Sequence, residues 1–294
     1  MSFNVTTHFV QQYTTNVQLL LQQKGSKLRE AVTQGSYNGK AAKAIEQVGS
    51  VSAQRRSVRH GDTPLISTPA DARWVFPNDY EWADLIDDQD KLRMLVDPQS
   101  SYALNGAYAL GRAMDDEIIG AFFGDSKTGE NGSTTTAFDS NNSVAEDVGA
   151  ASATGLNISK LREAKRILMA NEVDIDNDPL YVILTAEQHD DLLNEAQAIS
   201  LDYNTRPVLV DGKITAFMGF NFIHTERLGV DGDSYRRVPA FAQSGMHLGM
   251  WNDISTMISE RDDKGYATQV YVKGTFGATR TEEGKVIEIK CSES

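Results

Sequence analysis

The chain has 294 residues, 40% of them hydrophobic, enough for a substantial core in one large or two medium domains. No apolar run approaches the ~18 residues of a membrane-spanning helix, and the single cysteine, Cys291, excludes an internal disulfide. The net charge of −13 argues against avid coating of nucleic acid.

That charge is unevenly spread. Residues 1–75 carry nine Lys/Arg against four Asp/Glu, a surplus of +5, and the remainder carries −18. A basic arm on an acidic body invites head-to-tail contact between identical copies. The plainer reading is two solvated surfaces. Met1–Val5 lacks the basic and apolar regions of a signal peptide, which with the lone thiol fits an intracellular origin.

In chain order, Thr6–Lys24 reads as an amphipathic helix, with Val10, Tyr13, Val17, Leu20 and Leu21 on one face and Gly25 as its stop. Residues 40–78 read as a long hairpin with little core of its own, turning at His60-Gly61-Asp62-Thr63-Pro64. Such a hairpin is unstable alone, so it is expected to lie on a partner. Arg55, Arg56 and Arg59 cluster near its tip. Asp79, Glu81, Asp84, Asp87, Asp88 and Asp90 follow as an acidic run, and Asp87, Asp88 and Asp90, just before the next helix, read as a solvated face rather than as catalytic carboxylates.

A long helix is expected over Asp97–Phe123, capped by Asp97 with Pro98 at its first position. Leu104, Ala107, Tyr108, Gly111, Met114, Ile118 and Phe122 form its apolar stripe, and Gly124 its stop. At 1.5 Å per residue it would span roughly 40 Å, against a usual length of about 11 residues. That suggests a strut that positions other parts. Gly124–Gly155, rich in Gly, Ser, Thr and Asn, reads as an exposed loop or loose hairpin.

From Asn157 the pattern becomes regular α/β. Asn157 caps a helix to about Ala170, with Ile158, Leu161, Ala164 and Leu168 on one face. Leu180–Leu184 is a buried strand, and Thr185-Ala186-Glu187-Gln188 is a capping box. Pro207–Val210, Asp211-Gly212 and Lys213–Phe217 form a hairpin with a primed turn. Phe220–His224, Phe241–Met250, Ala267–Thr275 and Lys285–Lys290 are the remaining strand-like segments.

Catalytic and ligand motifs fail on inspection. Gly35–Lys40 is one residue short of a phosphate loop, and Ala41 stands where a Ser or Thr would meet magnesium. Asp174, Asp176 and Asp178 open like a calcium loop, but Pro179 replaces the required Gly and Thr185 the bidentate Glu. No two of His8, His60, His189, His224 and His247 have zinc spacing. Cys291 has no identifiable base beside it in sequence. No catalytic, cofactor or metal residue is therefore assigned.

The order of parts resembles a tailed-bacteriophage major capsid protein of the Hong Kong 97 type over nearly the whole chain. Phe217–Ile223 is similar to that family's Gly-centred strand start. Phe241–Met250 with Glu260–Tyr266 looks like its returning segment. The resemblance implies an α+β fold. Its N-terminal arm would be residues 1–40 and its extended E-loop hairpin 41–78. A peripheral domain of 79–156 and 241–294 would hold a spine helix at 98–123, and 157–240 would be an α/β axial domain. A long scaffolding-like N-terminal extension known in some relatives is not seen, leaving a separate scaffold or a processed chain as alternatives.

The implied function is a structural shell of pentamers and hexamers enclosing double-stranded DNA, without enzymatic activity. The implied partners are further copies of the chain and portal, scaffolding and decoration proteins, with no membrane. The implied location is the virion capsid, assembled in the bacterial cytoplasm. Arg55, Arg56 and Arg59 are expected to contact acids of an adjacent subunit, with Asp84, Asp87, Asp88 and Asp90 as the candidates. No motif carries over the subunit cross-linking of some relatives, and Lys40, Lys43 and Lys264 read as surface lysines. Competing readings are an encapsulin-like bacterial compartment, a soluble α/β enzyme, and a phage tail or neck protein.

Overall fold

The computed structural model describes residues 22–55, 59, 65–86, 99–195, 209–210 and 213–293. All but the last three residues of the expected Thr6–Lys24 helix lie outside these. So do the His60–Pro64 turn, the Asp97–Pro98 helix start, Asp211–Gly212, and the side chains of Arg56, Asp87, Asp88 and Asp90.

The described elements are runs of strands with three α-helices set among them. β1 (Thr33–Ser36), β2 (Ala42–Val48), β3 (Ala70–Val75) and β4 (Asn78–Ile86) precede the helix α1 (Gln99–Phe123). β5 (Ser126–Thr128), β6 (Thr134–Thr136) and β7 (Ser143–Val144) follow. Next come α2 (Ile158–Ala170), β8 (Leu180–Leu184), α3 (Ala186–Asn194), β9 (Leu209–Val210), β10 (Lys213–Ile214), β11 (Ala216–Phe217) and β12 (Phe220–His224). β13 (Arg236–Ala242), β14 (Met246–Arg261), β15 (Ala267–Arg280) and β16 (Val286–Cys291) complete the chain.

The chain divides into two compact units. The first holds residues 22–26, the described parts of 79–113, and 252–275, and the second holds the described parts of 27–78, 114–251 and 276–293. In the second, a six-stranded sheet runs in the order β11-β12-β8-β13-β16-β7. β8 pairs parallel with β12 and antiparallel with β13, so Val182 stands opposite both Phe222 and Ala240. Its central place explains its nearly continuous burial. Asn157 accepts a 2.8 Å hydrogen bond from the Lys160 amide, starting α2, whose Leu161, Ala164 and Leu168 are buried. Gln188 accepts from the Thr185 amide at 3.1 Å, as the capping pattern requires.

A four-stranded sheet, β2-β3-β5-β6, also belongs to the second unit, and β1 there pairs parallel with the start of β14, Thr33 opposite His247. In the first unit β15 lies between β14 and β4.

Three expectations are corrected. The apolar stripe of α1 holds at Gly111, Met114, Ile118 and Phe122, but Leu104 is exposed. Toward the N-terminus the buried face turns to Leu110 and Gly106. A Cβ at Gly106 would lie 2.5 Å from Trp82 Cε3 and 2.7 Å from Val272 Cγ2, so the ring occupies that face. The acidic run begins within a strand: Asp79 and Glu81 lie on the exposed side of β4, and Asp84 is half-buried on the side of Tyr80, Trp82 and Ile86. Asp79 accepts from Thr275 Oγ1 at 2.7 Å and Glu81 from the Tyr271 hydroxyl at 2.9 Å.

The Gly124–Gly155 segment is anchored. β5 and β6 form a hairpin, Val144 is buried in the six-stranded sheet, and Asn142 donates to Glu283 O at 2.8 Å. Lys213–Phe217 is two strands rather than one. The chain breaks at Thr215, whose carbonyl accepts from the Phe222 amide at 2.9 Å. Met218 and Gly219, both at positive φ, form a tight turn between β11 and β12.

Candidate assembly surface

β2 and β3 form the stem of the expected hairpin, from Ala42 opposite Val75 to Val48 opposite Ala70. At its base Ala42, Ala72, Arg73 and Val75 are buried, and β3 pairs on its other side with β5. Trp74 donates from Nε1 to Gly129 O at 2.7 Å, and Asp71 accepts from the Gly129 amide at 2.9 Å.

Outward from the stem the environment changes. Val48 is 74% exposed, Val51 49%, Leu65 97% and Ile66 42%. Burying such a side chain fully is worth about 1.5–3 kcal/mol, so this segment gains free energy when another surface covers it. Arg55 and Arg59 are exposed beside it, which suits them to meet a charged partner. Asp84, the described member of the acidic set, is half-buried and accepts from the Leu85 amide at 2.8 Å.

The base of the hairpin carries a buried ionic cluster that sequence reasoning missed. Arg280, on β15, is fully buried and donates from Nη1 to Phe122 O at 2.8 Å and Gly124 O at 2.9 Å, the carbonyls that end α1. Its Nε donates to Glu283 at 2.6 Å, and its guanidinium lies 5.4 Å from the centre of the Phe138 ring. Arg73 Nη1 lies 3.4 Å from the other oxygen of Glu283. Next to this cluster Phe123 meets Phe138 edge-on at 5.3 Å and stacks under Arg237 at 4.3 Å. The i,i+3 spacing of Arg280 and Glu283 was the available signal, but in sequence it looks like any surface pair.

The other candidate chemistries have structural employment. The Gly35–Lys40 look-alike is strand and bend, with no helix behind it. Asp174 closes its own turn, accepting from Asp176 N, Asn177 N and Asn177 Nδ2 at 3.2, 3.2 and 2.8 Å. These bonds hold its carboxyl below the usual range. It lines a cleft of about 750 Å³ with Glu172, Asp178, Glu282 and Lys285. Among the described residues no three His, Cys, Asp or Glu side chains are grouped to hold a metal ion. His189 accepts from the Ile214 amide at 3.3 Å, and His224 pairs with Glu226 at 2.7 Å. Cys291 is buried, and burial pushes its thiol up to about 12, far from a reactive thiolate.

The same mixed α+β architecture is found in phage capsids. The capsid of Cyanophage P-SCSP1u superposes with a TM-score of 0.76 at 14% identity, covering 100% of this chain and 96% of that one. The Cyanophage Pam1 capsid gives 0.69 at 13% identity, covering 99% and 98%. The capsid of Ralstonia phage GP4 gives 0.68 at 10%, covering 100% and 98%. At such identities the likeness establishes the fold alone. A search of curated proteins by sequence found no match.

A family model described as phage capsid protein matches residues 5–293, and the chain belongs to that family. The expected class, a tailed-bacteriophage major capsid protein, agrees with this result and with the shared fold. It is a structural protein of the virion capsid, which sets aside the reading as a soluble α/β enzyme.

Proposed function

We propose that copies of this chain close, as pentamers and hexamers, into an icosahedral shell around double-stranded DNA. The observation that carries the reading is the hairpin, whose Val48, Val51, Leu65 and Ile66 are exposed on an arm that buries little of itself. A second copy is the partner every subunit always has.

The proposed fold is of the Hong Kong 97 type. Its arm is residues 1–40, its E-loop 41–78, its spine helix 98–123 within a peripheral domain of 79–156 and 241–294, and its axial domain 157–240. The proposed contacts set Arg55, Arg56 and Arg59 of one copy against Asp84, Asp87, Asp88 and Asp90 of the next. A single exposed pair is worth only about 0–1 kcal/mol. Repetition around a shell multiplies that small preference and makes assembly sensitive to salt. Assembly takes place in the bacterial cytoplasm, with scaffolding, portal and decoration proteins as partners. The DNA is enclosed without sequence-specific contacts, and the chain's net charge of −13 suits a genome that must later leave.

Electron microscopy of the purified chain, alone and with its scaffold, tests this. Closed shells or rings of five and six subunits are the expected result, and packaged DNA rather than a cargo enzyme separates a virion from an encapsulin-like compartment. Particles that stay monomeric at high concentration in both conditions would overturn the proposal. Reversing the charge of Arg55, Arg56 and Arg59 together is expected to impair closure while leaving soluble, folded subunits. Normal shells from that variant would remove the arginines from the contact.

A further inference from the structure

Four residues, Arg280 to Glu283, join the hairpin to the end of the long helix. From β2, Gln47 Nε2 donates to Thr281 O at 2.6 Å. From β3, Arg73 reaches Glu283 at 3.4 Å. Arg280 in turn donates to the Phe122 and Gly124 carbonyls. Both strands of the stem and the C-terminus of α1 are therefore held by one short connector. Gln47 precedes Val48, where the stem passes from its buried base to its exposed portion.

The electrostatics of this connector are unevenly completed. The C-terminal carbonyls of a helix lack intrahelical partners and carry a partial negative charge, so a guanidinium there is favourable. Glu283 Oε2 is bonded to Arg280 Nε at 2.6 Å. Its Oε1 is buried without a hydrogen bond, and so are Arg73 Nε and Nη1. Charge-assisted N–H···O contacts usually close to about 2.7–2.9 Å. The Arg73–Glu283 contact is thus an ion pair that a small shift of the stem would turn into a hydrogen bond. Arg73 is only 6% exposed, so water does not readily take that role.

We infer that Arg73, acting through Glu283 and Arg280, is a positioning residue that aims the hairpin, and that seating the hairpin on a second copy closes this ion pair and stiffens the end of α1. The inference rests on the shell reading above. It makes the direction of the hairpin a property of a buried charge relay rather than of the β-ladder alone.

The test compares wild type with Arg73→Met, Arg73→Lys and Glu283→Gln, by hydrogen exchange of soluble subunits and assembled particles and by particle diameter in electron micrographs. In wild type, amides of residues 121–125 are expected to exchange about tenfold more slowly once assembled. Arg73→Met is expected to lose that gain and to give shells of scattered diameter, and Arg73→Lys, which keeps the charge, to restore much of both. Arg73→Met shells with wild-type diameter and the wild-type gain would overturn the inference. Should Arg73→Met not fold, Glu283→Gln carries the same two outcomes. Should wild type form no shells, the shell reading falls. The relay is then tested in soluble protein, where stem amides 44–47 must exchange faster in Arg73→Met, or in Glu283→Gln should that variant not fold, than in wild type; equal rates overturn it.

Discussion

Tyr37 and His247 share a 2.8 Å hydrogen bond between the phenol oxygen and Nε2, and a third residue fixes its direction. Thr33 Oγ1 donates to Met246 O at 2.6 Å, so it accepts from His247 Nδ1–H at 3.0 Å. Nε2 therefore bears the lone pair, and Tyr37 donates to it. This pair clasps β1 to the start of β14.

The clasp makes acid sensitivity predictable. Burial lowers the pKa of His247 below its usual 6.5. A base with a depressed folded value contributes its full stability above the unfolded value and loses it as pH falls through about 6.5 toward the folded one. Protonated Nε2 would set a second hydrogen against that of Tyr37, around which Gly35 and Trp251 pack closely. Protection of amides 33–37, corrected for the intrinsic pH dependence of exchange, is expected to fall as pH drops below about 6.5, with the step absent in His247→Gln. Parallel pH profiles for the two proteins would disprove the clasp.

Asp115 is fully buried on α1 and accepts from the backbone amides of Lys27, at 3.2 and 3.0 Å, and Leu28, at 3.2 Å. It thereby holds the two residues that lead into the short 3-10 turn Arg29–Ala31. Asp115→Asn keeps the shape but gives up the charge and one acceptor. A loss of about 1–3 kcal/mol is expected from a urea unfolding curve, the usual cost of orphaned buried donors. An unchanged midpoint would mean that residues 27–31 are held by something else.

Lys160 does similar work at the other end of the chain. Its amine is buried, which lowers its pKa, and donates to Thr154 O at 2.7 Å and Lys290 O at 2.8 Å. It thereby ties β16 to the loop before α2. Lys160→Met conserves the stem and removes both bonds, leaving the Thr154 carbonyl with the Ser292 amide alone, at 2.9 Å. The expected cost is about 2–4 kcal/mol by denaturation, and a variant within about 0.5 kcal/mol of wild type would count against the tie.

These two residues show where sequence reading stops. The α2 cap, the Leu180–Leu184 strand and the Thr185–Gln188 start were legible because their determinants lie within a few residues of one another. Asp115 meets an amide 88 positions away, and Lys160 a carbonyl 130 away, so in sequence both look like ordinary surface charges. The outer half of β14 escaped for another reason. From Asn252 to Arg261 its side chains are exposed or half-buried, and no apolar alternation marks the strand. Of the assembly surface, the arginine cluster Arg55, Arg56 and Arg59 was visible in the sequence because its members are near neighbours. The Arg73–Glu283–Arg280 cluster was not, because it forms only when β3, β15 and the end of α1 converge.

The long helix supplies a test of close packing in which one substitution type should have opposite signs. Gly120 is exposed, and a Cβ there would meet nothing within 4 Å. Gly120→Ala removes only the propensity penalty of glycine and should stabilise by up to about 1 kcal/mol. Gly111 gains the same propensity, but its Cβ would lie 2.6 Å from Gly25 C and 2.7 Å from Ser26 N. Those are backbone atoms of a turn held by Gly25 at a φ of 71°, and they cannot rotate aside as a side chain would. Overpacking of this kind costs about 1–3 kcal/mol, which outweighs the propensity gain. Thermal unfolding should therefore place Gly120→Ala above wild type and Gly111→Ala below it. If both variants rise together, residues 25–26 do not approach the helix as closely as the structure has them.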